Sequence, residues 1–327
     1  MACKSTERRA VSKSIEGARM KATRDGFGEE LLKLGGDRDD LVVLSADLSK
    51  ATKTAFFAKE FPERFIECGI AECNAIGIAS GLSENKFYPV FSSFASFLTG
   101  KYDVIRVSLA YSNATSLLVG THAGMAIGKD GVTQMGLEDI TLMRALPNMK
   151  VYQPATANQA KQMLREIVNT SGPSYFRIGR QPVPELFADS EKINLGRIQV
   201  IDDAVNPDIC FVTSGCVLHD VIEASKKLNQ LGKSCAILNV HTIKPFDKKT
   251  LIDYALKSKR IVTVEDHSVV GGLGSLVCET LCESGPKKVQ RLGLQDVFPE
   301  SAPPADLYKK YGLDADGIVR SILEEDR

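Results

Sequence analysis

The feature that most restricts the fold is an alternation of short, continuously apolar runs with longer helix-patterned stretches. LVVLSAD at 41–47, RFIECGI at 64–70, FYPVFSSF at 87–94, TSLLVGTH at 115–122, MKVYQPA at 149–155 and SYFRIG at 174–179 read as strands. Residues 25–34, 72–84, 138–146 and 156–169 read as helices between them. Strands that are apolar along their whole length are covered on both faces, and strands separated by helices run parallel. The expectation is an α/β protein with a mostly parallel sheet flanked by helices.

At 180–196, RQPVPELFADSEKINLG carries prolines and polar residues with no clear period, which reads as a linker. A second series of strands and helices follows, from DICFVTSG at 208–215 to KKVQRLGL at 287–294. The chain therefore divides into an N-terminal arm (1–19), a first α/β domain (20–184), a linker (185–197) and a second, smaller α/β domain (198–327). There is no internal repeat and no low-complexity tract.

Forty-one basic residues balance forty-one acidic ones, which argues against a nucleic-acid-binding surface. No apolar run approaches the ~18 residues of a membrane span. The N-terminus, MACKSTERRAVSKSIEGARMKATR, is basic but lacks the apolar core of a secretory signal, so a cytoplasmic protein is expected. In that setting the eight cysteines are reduced thiols, several of them inside apolar runs. Cys278 and Cys282 stand one helical turn apart, but a metal would need two more ligands at a recognisable spacing, and no metal site is expected.

Open α/β sheets bind ligands at the carboxyl ends of their strands. The residues there are Asp47, Glu72, 91–97, 122–134, Arg180 and His267. Glu72 is the odd one, because the helix it opens is apolar on every side and so predicts burial. For a lone first-turn glutamate the helix dipole is reason enough. The alternative is a carboxyl group held in an apolar pocket to make a hydrogen bond to a ligand.

Seven segments decide between these readings. They are KATRDGFGEELLKLG, LSADLSK, GIAECNA, FSSFASF, THAGMAIGKDGVTQMGLEDITLMRALPNMKVYQPA, FRIGRQPVPE and IVTVEDHSVVGGLG. In this order they resemble the transketolase family of thiamine diphosphate enzymes, over residues 20 to about 325. The resemblance implies that Glu72 hydrogen-bonds N1′ of the cofactor's aminopyrimidine and promotes the form that activates C2 of the thiazolium. It implies that Phe94 and Phe97 pack on the pyrimidine and that Asp47 lies near the thiazolium; a third aromatic position is Gly100 here.

It further implies that Arg24 and Arg180 clamp a sugar phosphate, that His122 contacts substrate and that Asp130 reads a sugar hydroxyl. Gln134 stands where many members carry histidine, and glutamine can donate a hydrogen bond but cannot shuttle a proton. A serine that usually assists the arginines is Ala51 here, leaving Thr52 to substitute or the grip weaker. For His267 a structural or interface role is expected, and His219 and His241 are read as structural.

A complete transketolase also has a domain that holds the diphosphate through a metal ion, marked by a Gly-Asp-Gly. GGDRDD at 35–40 is a turn after a helix and does not match it. The expectation is a split enzyme. This chain is its C-terminal subunit, and an N-terminal partner carries the diphosphate and its Mg²⁺ or Ca²⁺ in an α2β2 assembly. The activity implied is transfer of a two-carbon ketol unit between sugar phosphates. The alternatives are the β-subunit of a 2-oxo acid dehydrogenase, a deoxyxylulose-phosphate synthase-like enzyme, or a non-catalytic partner subunit.

Overall fold

The computed structural model describes residues 17–325, so most of the expected N-terminal arm lies outside the described residues. The first sheet has seven strands, in the order Thr242–Lys244, Lys150–Tyr152, Ser174–Arg177, Leu117–Thr121, Tyr88–Phe94, Leu41–Ser45 and Phe65–Glu67. All pairings are parallel except that of Thr242–Lys244. The long strands are buried at every position, as their unbroken apolar runs require.

Helices cover both faces. Thr23–Asp37 and Ala157–Ile167 lie together on one side, burying Phe27, Leu31, Met163 and Leu164 against Val43, Val119 and Phe176. Glu72–Glu84 lies on the other, burying Ala75, Ile76 and Ala79 against Leu44 and Phe91. Thr156 caps Ala157–Ile167 by accepting from the Gln159 N–H, which fixes where that helix starts.

The two helices of the first face meet at a glycine. A Cβ on Gly26 would stand 2.2 Å from the Ala157 carbonyl oxygen, and backbone cannot step aside as a flexible side chain can. Gly26→Ala is therefore expected to destabilise the chain by about 1–3 kcal/mol in urea denaturation, and to displace Arg24 half a turn away. Unchanged stability would show that the helix slides freely on its neighbour.

The second sheet has the order Val289–Leu294, Arg260–Ser268, Ile209–Thr213, Cys235–Asn239 and Gln199–Asp202, with only the last strand antiparallel. Within the second series the apolar run SCAILNVHTI at 234–243 reads from sequence as one strand, and the structure corrects this. The chain leaves the second sheet at Asn239, and Thr242–Lys244 adds an edge strand to the first. Another correction falls within the stretch read as a linker. Pro182–Pro184 pairs antiparallel with Met20–Ala22 in a two-stranded ribbon, an isolated setting in which a strand proline leaves no ladder of bonds unfilled.

The helix Glu72–Glu84 is not buried all round. Cys73, Asn74, Gly77 and Gly81 are exposed, and a Cβ on either glycine would meet nothing within 4 Å. The two glycines on this exposed face have no neighbour among the described residues to pack on.

Candidate active site

Chain order places a crevice between Leu41–Ser45 and Tyr88–Phe94. From the first of these the chain goes outward to Phe65–Glu67, then returns past it to the other side. Such reversals leave room at the carboxyl ends of the strands. The Glu67 carboxylate ties the loops beyond two of these strands, accepting from the backbone N–H of Asp47 (2.7 Å) and of Gly69 (3.1 Å). Asp47 itself is exposed, in the left-handed region at φ 59°.

Glu72 is the first residue of its helix and only 8 % exposed. Its carboxylate has no hydrogen-bond or ion-pair partner among the described residues, although such a group normally finds one. Across the crevice the Phe94 and Phe97 rings stack, with centroids 5.2 Å apart. His122 stacks on Phe94 at 3.9 Å, because Thr121 is paired with Phe94 in the adjacent strand.

The ribbon of Met20–Ala22 with Pro182–Pro184 brings Arg24 and Arg180 to the same place. It sets the start of helix Thr23–Asp37 beside the end of strand Ser174–Arg177, and the Thr23 hydroxyl accepts from the Gly179 N–H at 2.7 Å. One Arg24 nitrogen donates to the Ala51 carbonyl and to His122 Nε2, each at 3.0 Å. The Arg24 Nε is buried with no partner. Burial, with Arg180 adding to it against the pull of Asp25, pushes the Arg24 guanidinium below its ordinary value. A half-buried guanidinium with an unused donor is a site prepared for an anion.

His122 is 3 % exposed, at φ 57°. Its Nδ1 lies 2.8 Å from the Thr121 hydroxyl, so both ring nitrogens are engaged within the chain. Burial, reinforced by Arg24 and Arg180, holds its imidazole down at about 3. It is a neutral ring at physiological pH.

Arg180 and Asp130 pair with each other at 2.6 Å, and both are exposed. The sequence reading gives each a separate substrate contact, and the pair must open for both to make one. An exposed pair of this kind contributes ~0–1 kcal/mol, so opening costs little. Gln134 ends the short turn Val132–Gln134 and is partly exposed. It makes no hydrogen bond to the Arg24–His122–Phe94 cluster, and neither do Asp47 and Glu72. Thr52 does not replace the missing serine. It is fully buried, its hydroxyl 3.0 Å from the Leu48 carbonyl and 3.1 Å from Thr54, and it is the Ala51 backbone that faces Arg24.

The EDH of the second domain serves the junction between domains. Asp266 accepts from the Met125 N–H (2.9 Å) and the Tyr308 hydroxyl (2.6 Å), and Arg177 donates to its carbonyl. Glu265 accepts from the first two N–H groups of helix Leu273–Ser284 and is pushed up to about 7 by burial. His267 is fully buried between Glu265 and Asp139, with each ring nitrogen 3.8 Å from one of the two carboxylates. His241 is also buried, its ring 3.0 Å from the Thr242 hydroxyl, and His219 pairs with Asp220 at 3.1 Å. Among the described residues no group of three or more His, Cys, Asp or Glu gathers as a metal site, no helix is long and apolar enough to cross a membrane, and the seven cysteines are free thiols.

Residues 19–185 match the family profile "Transketolase, pyrimidine binding domain", and residues 196–318 match "Transketolase, C-terminal domain". The chain belongs to the transketolase family. It is 40 % identical to a transketolase C-terminal section of Methanocaldococcus jannaschii, over 93 % of this chain and 96 % of that one. It is 33 % identical to a 6-deoxy-6-sulfo-D-fructose transketolase subunit of Clostridium sp., over 92 % and 93 %. Against mouse transketolase the identity is 35 %, over 92 % of this chain but only 48 % of the mouse enzyme. Among solved structures, a split-gene transketolase described as an inactive β4 tetramer superposes with a TM-score of 0.86 at 40 % identity, covering 93 % of this chain and 97 % of that one. The chain thus has the extent of the C-terminal section of a split transketolase.

Proposed function

We propose that this chain is the C-terminal subunit of a two-component transketolase, laid out as a pyrimidine-binding domain (20–184), a linker (185–197) and a C-terminal domain (198–327). It moves a two-carbon ketol unit from a ketose phosphate to an aldose phosphate. The observation that carries the reading is Glu72, a residue only 8 % exposed whose carboxylate has no partner among the described residues, at the start of the helix by which the chain crosses the sheet's switch point. A protonated ring nitrogen of an aminopyrimidine is a fitting partner for it, and the Phe94–Phe97 pair is a fitting surface for the ring. Thiamine diphosphate, when bound, supplies the electron sink for breaking and forming the carbon–carbon bond.

The remaining residues hold substrate. Arg24 and Arg180 bind the anionic end, Asp130 accepts from a sugar hydroxyl once Arg180 turns to the ligand, and His122 lines the site. Asp47 faces the thiazolium side, and Gln134 orients substrate by hydrogen bonding without moving a proton. The diphosphate and its Mg²⁺ or Ca²⁺ belong to an N-terminal partner subunit, in an α2β2 assembly in the cytoplasm. Ile70, Val107 and Tyr111, 82 %, 63 % and 87 % exposed, support that assembly, the first lying just before helix Glu72–Glu84 and the other two on the helical segment Arg106–Tyr111 that packs beside it.

The test is a titration of the chain with thiamine diphosphate and Mg²⁺, alone and with the N-terminal subunit, following ketol transfer. Binding and turnover are expected only in the mixture; turnover by this chain alone would sink the split-enzyme reading. In the mixture, Arg24→Ala is expected to raise KM for phosphorylated sugars by about 10–100-fold, the loss of one or two charge-assisted hydrogen bonds. Arg180→Ala should act in the same direction but more weakly, being exposed and shared with Asp130. An unchanged KM for the Arg24 variant removes it from the anion site. A guanidinium receives a sulfonate by the same chemistry as a phosphate, so a sulfonated ketose belongs in the same assay.

A further inference from the structure

The hydrogen bonds around His122 leave its proton only one position. Arg24 can only donate, and its nitrogen lies 3.0 Å from Nε2, so Nε2 must present a lone pair. A neutral imidazole carries one proton, which therefore sits on Nδ1. The Thr121 hydroxyl, 2.8 Å from Nδ1, must accept that proton's hydrogen bond. It is free to do so because its own hydrogen is donated to the Ser93 carbonyl at 3.2 Å, and a carbonyl can only accept. The chain of donors runs one way, in part from Arg24 into His122 and in part from His122 through Thr121 to Ser93.

We propose that Thr121 is a positioning residue. Its hydroxyl commits His122 to the Nδ1–H tautomer, and the lone pair this leaves on Nε2 holds the Arg24 guanidinium in place for the anion. Thr121 is fully buried at the end of its strand and out of reach of any ligand, so it acts only through the ring. The rest of the environment agrees. Phe94 fixes the plane of the ring from one side, and the charged groups that act on it, Arg24 and Arg180, both disfavour a second proton. His122 is then an acceptor for Arg24 rather than a proton donor to substrate. The consequence for sugar binding rests on the proposed function, whereas the tautomer does not.

The experiment is ¹⁵N NMR of the histidine-labelled full chain at pH 7, with His122 assigned by its loss in His122→Asn. The expected spectrum has a protonated Nδ1 and an unprotonated Nε2. Thr121→Val keeps the branched shape but removes the acceptor, and should shift His122 toward the Nε2–H form; Thr121→Ser should restore the wild-type pattern. In the reconstituted enzyme Thr121→Val should raise KM for phosphorylated sugars by about tenfold, with a smaller change in kcat. A wild-type ring protonated on Nε2, or on both nitrogens, overturns the proposal. So does a Thr121→Val protein with unaltered tautomer and KM. If Thr121→Val fails to fold, the wild-type and Thr121→Ser spectra still decide the tautomer. If no ketol transfer is found in any mixture the proposed function fails, while the spectra stand on their own.

Discussion

Glu72→Gln in the assembled enzyme is expected to lower kcat by about two to four orders of magnitude, the range for losing a group that sets the protonation of a reacting centre. The same substitution should leave the thermal midpoint of the isolated chain nearly unchanged. The two halves of this prediction come from one fact. The residue is 8 % exposed, yet its carboxylate is bonded to nothing among the described residues, so the fold loses little when it goes. The cost is the interaction of one first-turn charge with the helix dipole, about 0.3–1 kcal/mol. Glutamine is nearly isosteric, so no cavity opens. Glu72→Ala should be as inactive and only slightly less stable. Activity with saturating cofactor and a circular-dichroism melt of both variants are sufficient. Turnover within a fewfold of wild type would mean that the unpartnered carboxylate has some other use.

The parallel sheet is legible in the sequence because its strands are apolar on both faces, a pattern that short elements show only when helices cover them on each side. Helix 72–84 has the expected ends, since Glu72 and the turn before it mark the start. Its expected burial fails for a physical reason. Cys73, Gly77 and Gly81 lie on one face, and small residues look the same in sequence whether they pack against this chain or await another. The proline-bearing strand Pro182–Pro184 is hidden because two prolines in three residues argue against a ladder, and an isolated two-stranded ribbon tolerates them. The short helices Ser49–Thr52, Ala55–Glu60 and Ala95–Thr99 are too brief to show a period.

The site residues are legible one by one through family motifs, but their partners are not. Nothing in the spacing of Asp130 and Arg180 shows that they pair, because they stand fifty positions apart. Thr121 and Glu67 are silent in the sequence, since a strand-end threonine and an exposed glutamate carry no signal until their hydrogen bonds are seen. Asp139 and Arg177 are likewise hidden, the first reading beside Glu138 as no more than a helix start and the second lying in an apolar strand that says only core.

That last pair carries the largest expected loss of stability. Asp139 is fully buried and accepts from the Tyr175 hydroxyl (2.7 Å) and from Arg177 Nε (2.9 Å). Burial works against the Arg177 charge, but Asp139, with Asp266 beyond it, outweighs that and holds the guanidinium above its ordinary value. Arg177 also donates to the Gly136 and Asp266 carbonyls, so it cannot swing out to water without breaking both. Asp139→Ala leaves this cation buried without its counter-charge and should cost about 3–5 kcal/mol in urea denaturation. Arg180→Ala, three residues from Arg177 but exposed, should cost under about 1 kcal/mol. The contrast separates the two roles. Asp139 opens the helix that follows the loop carrying His122, Asp130 and Gln134, and Arg177 ends the strand that leads to Arg180. The buried pair therefore fixes the frame on which the exposed groups meet substrate. An Asp139→Ala protein as stable as wild type would show that Arg177 finds another partner, and that the frame does not depend on this ion pair.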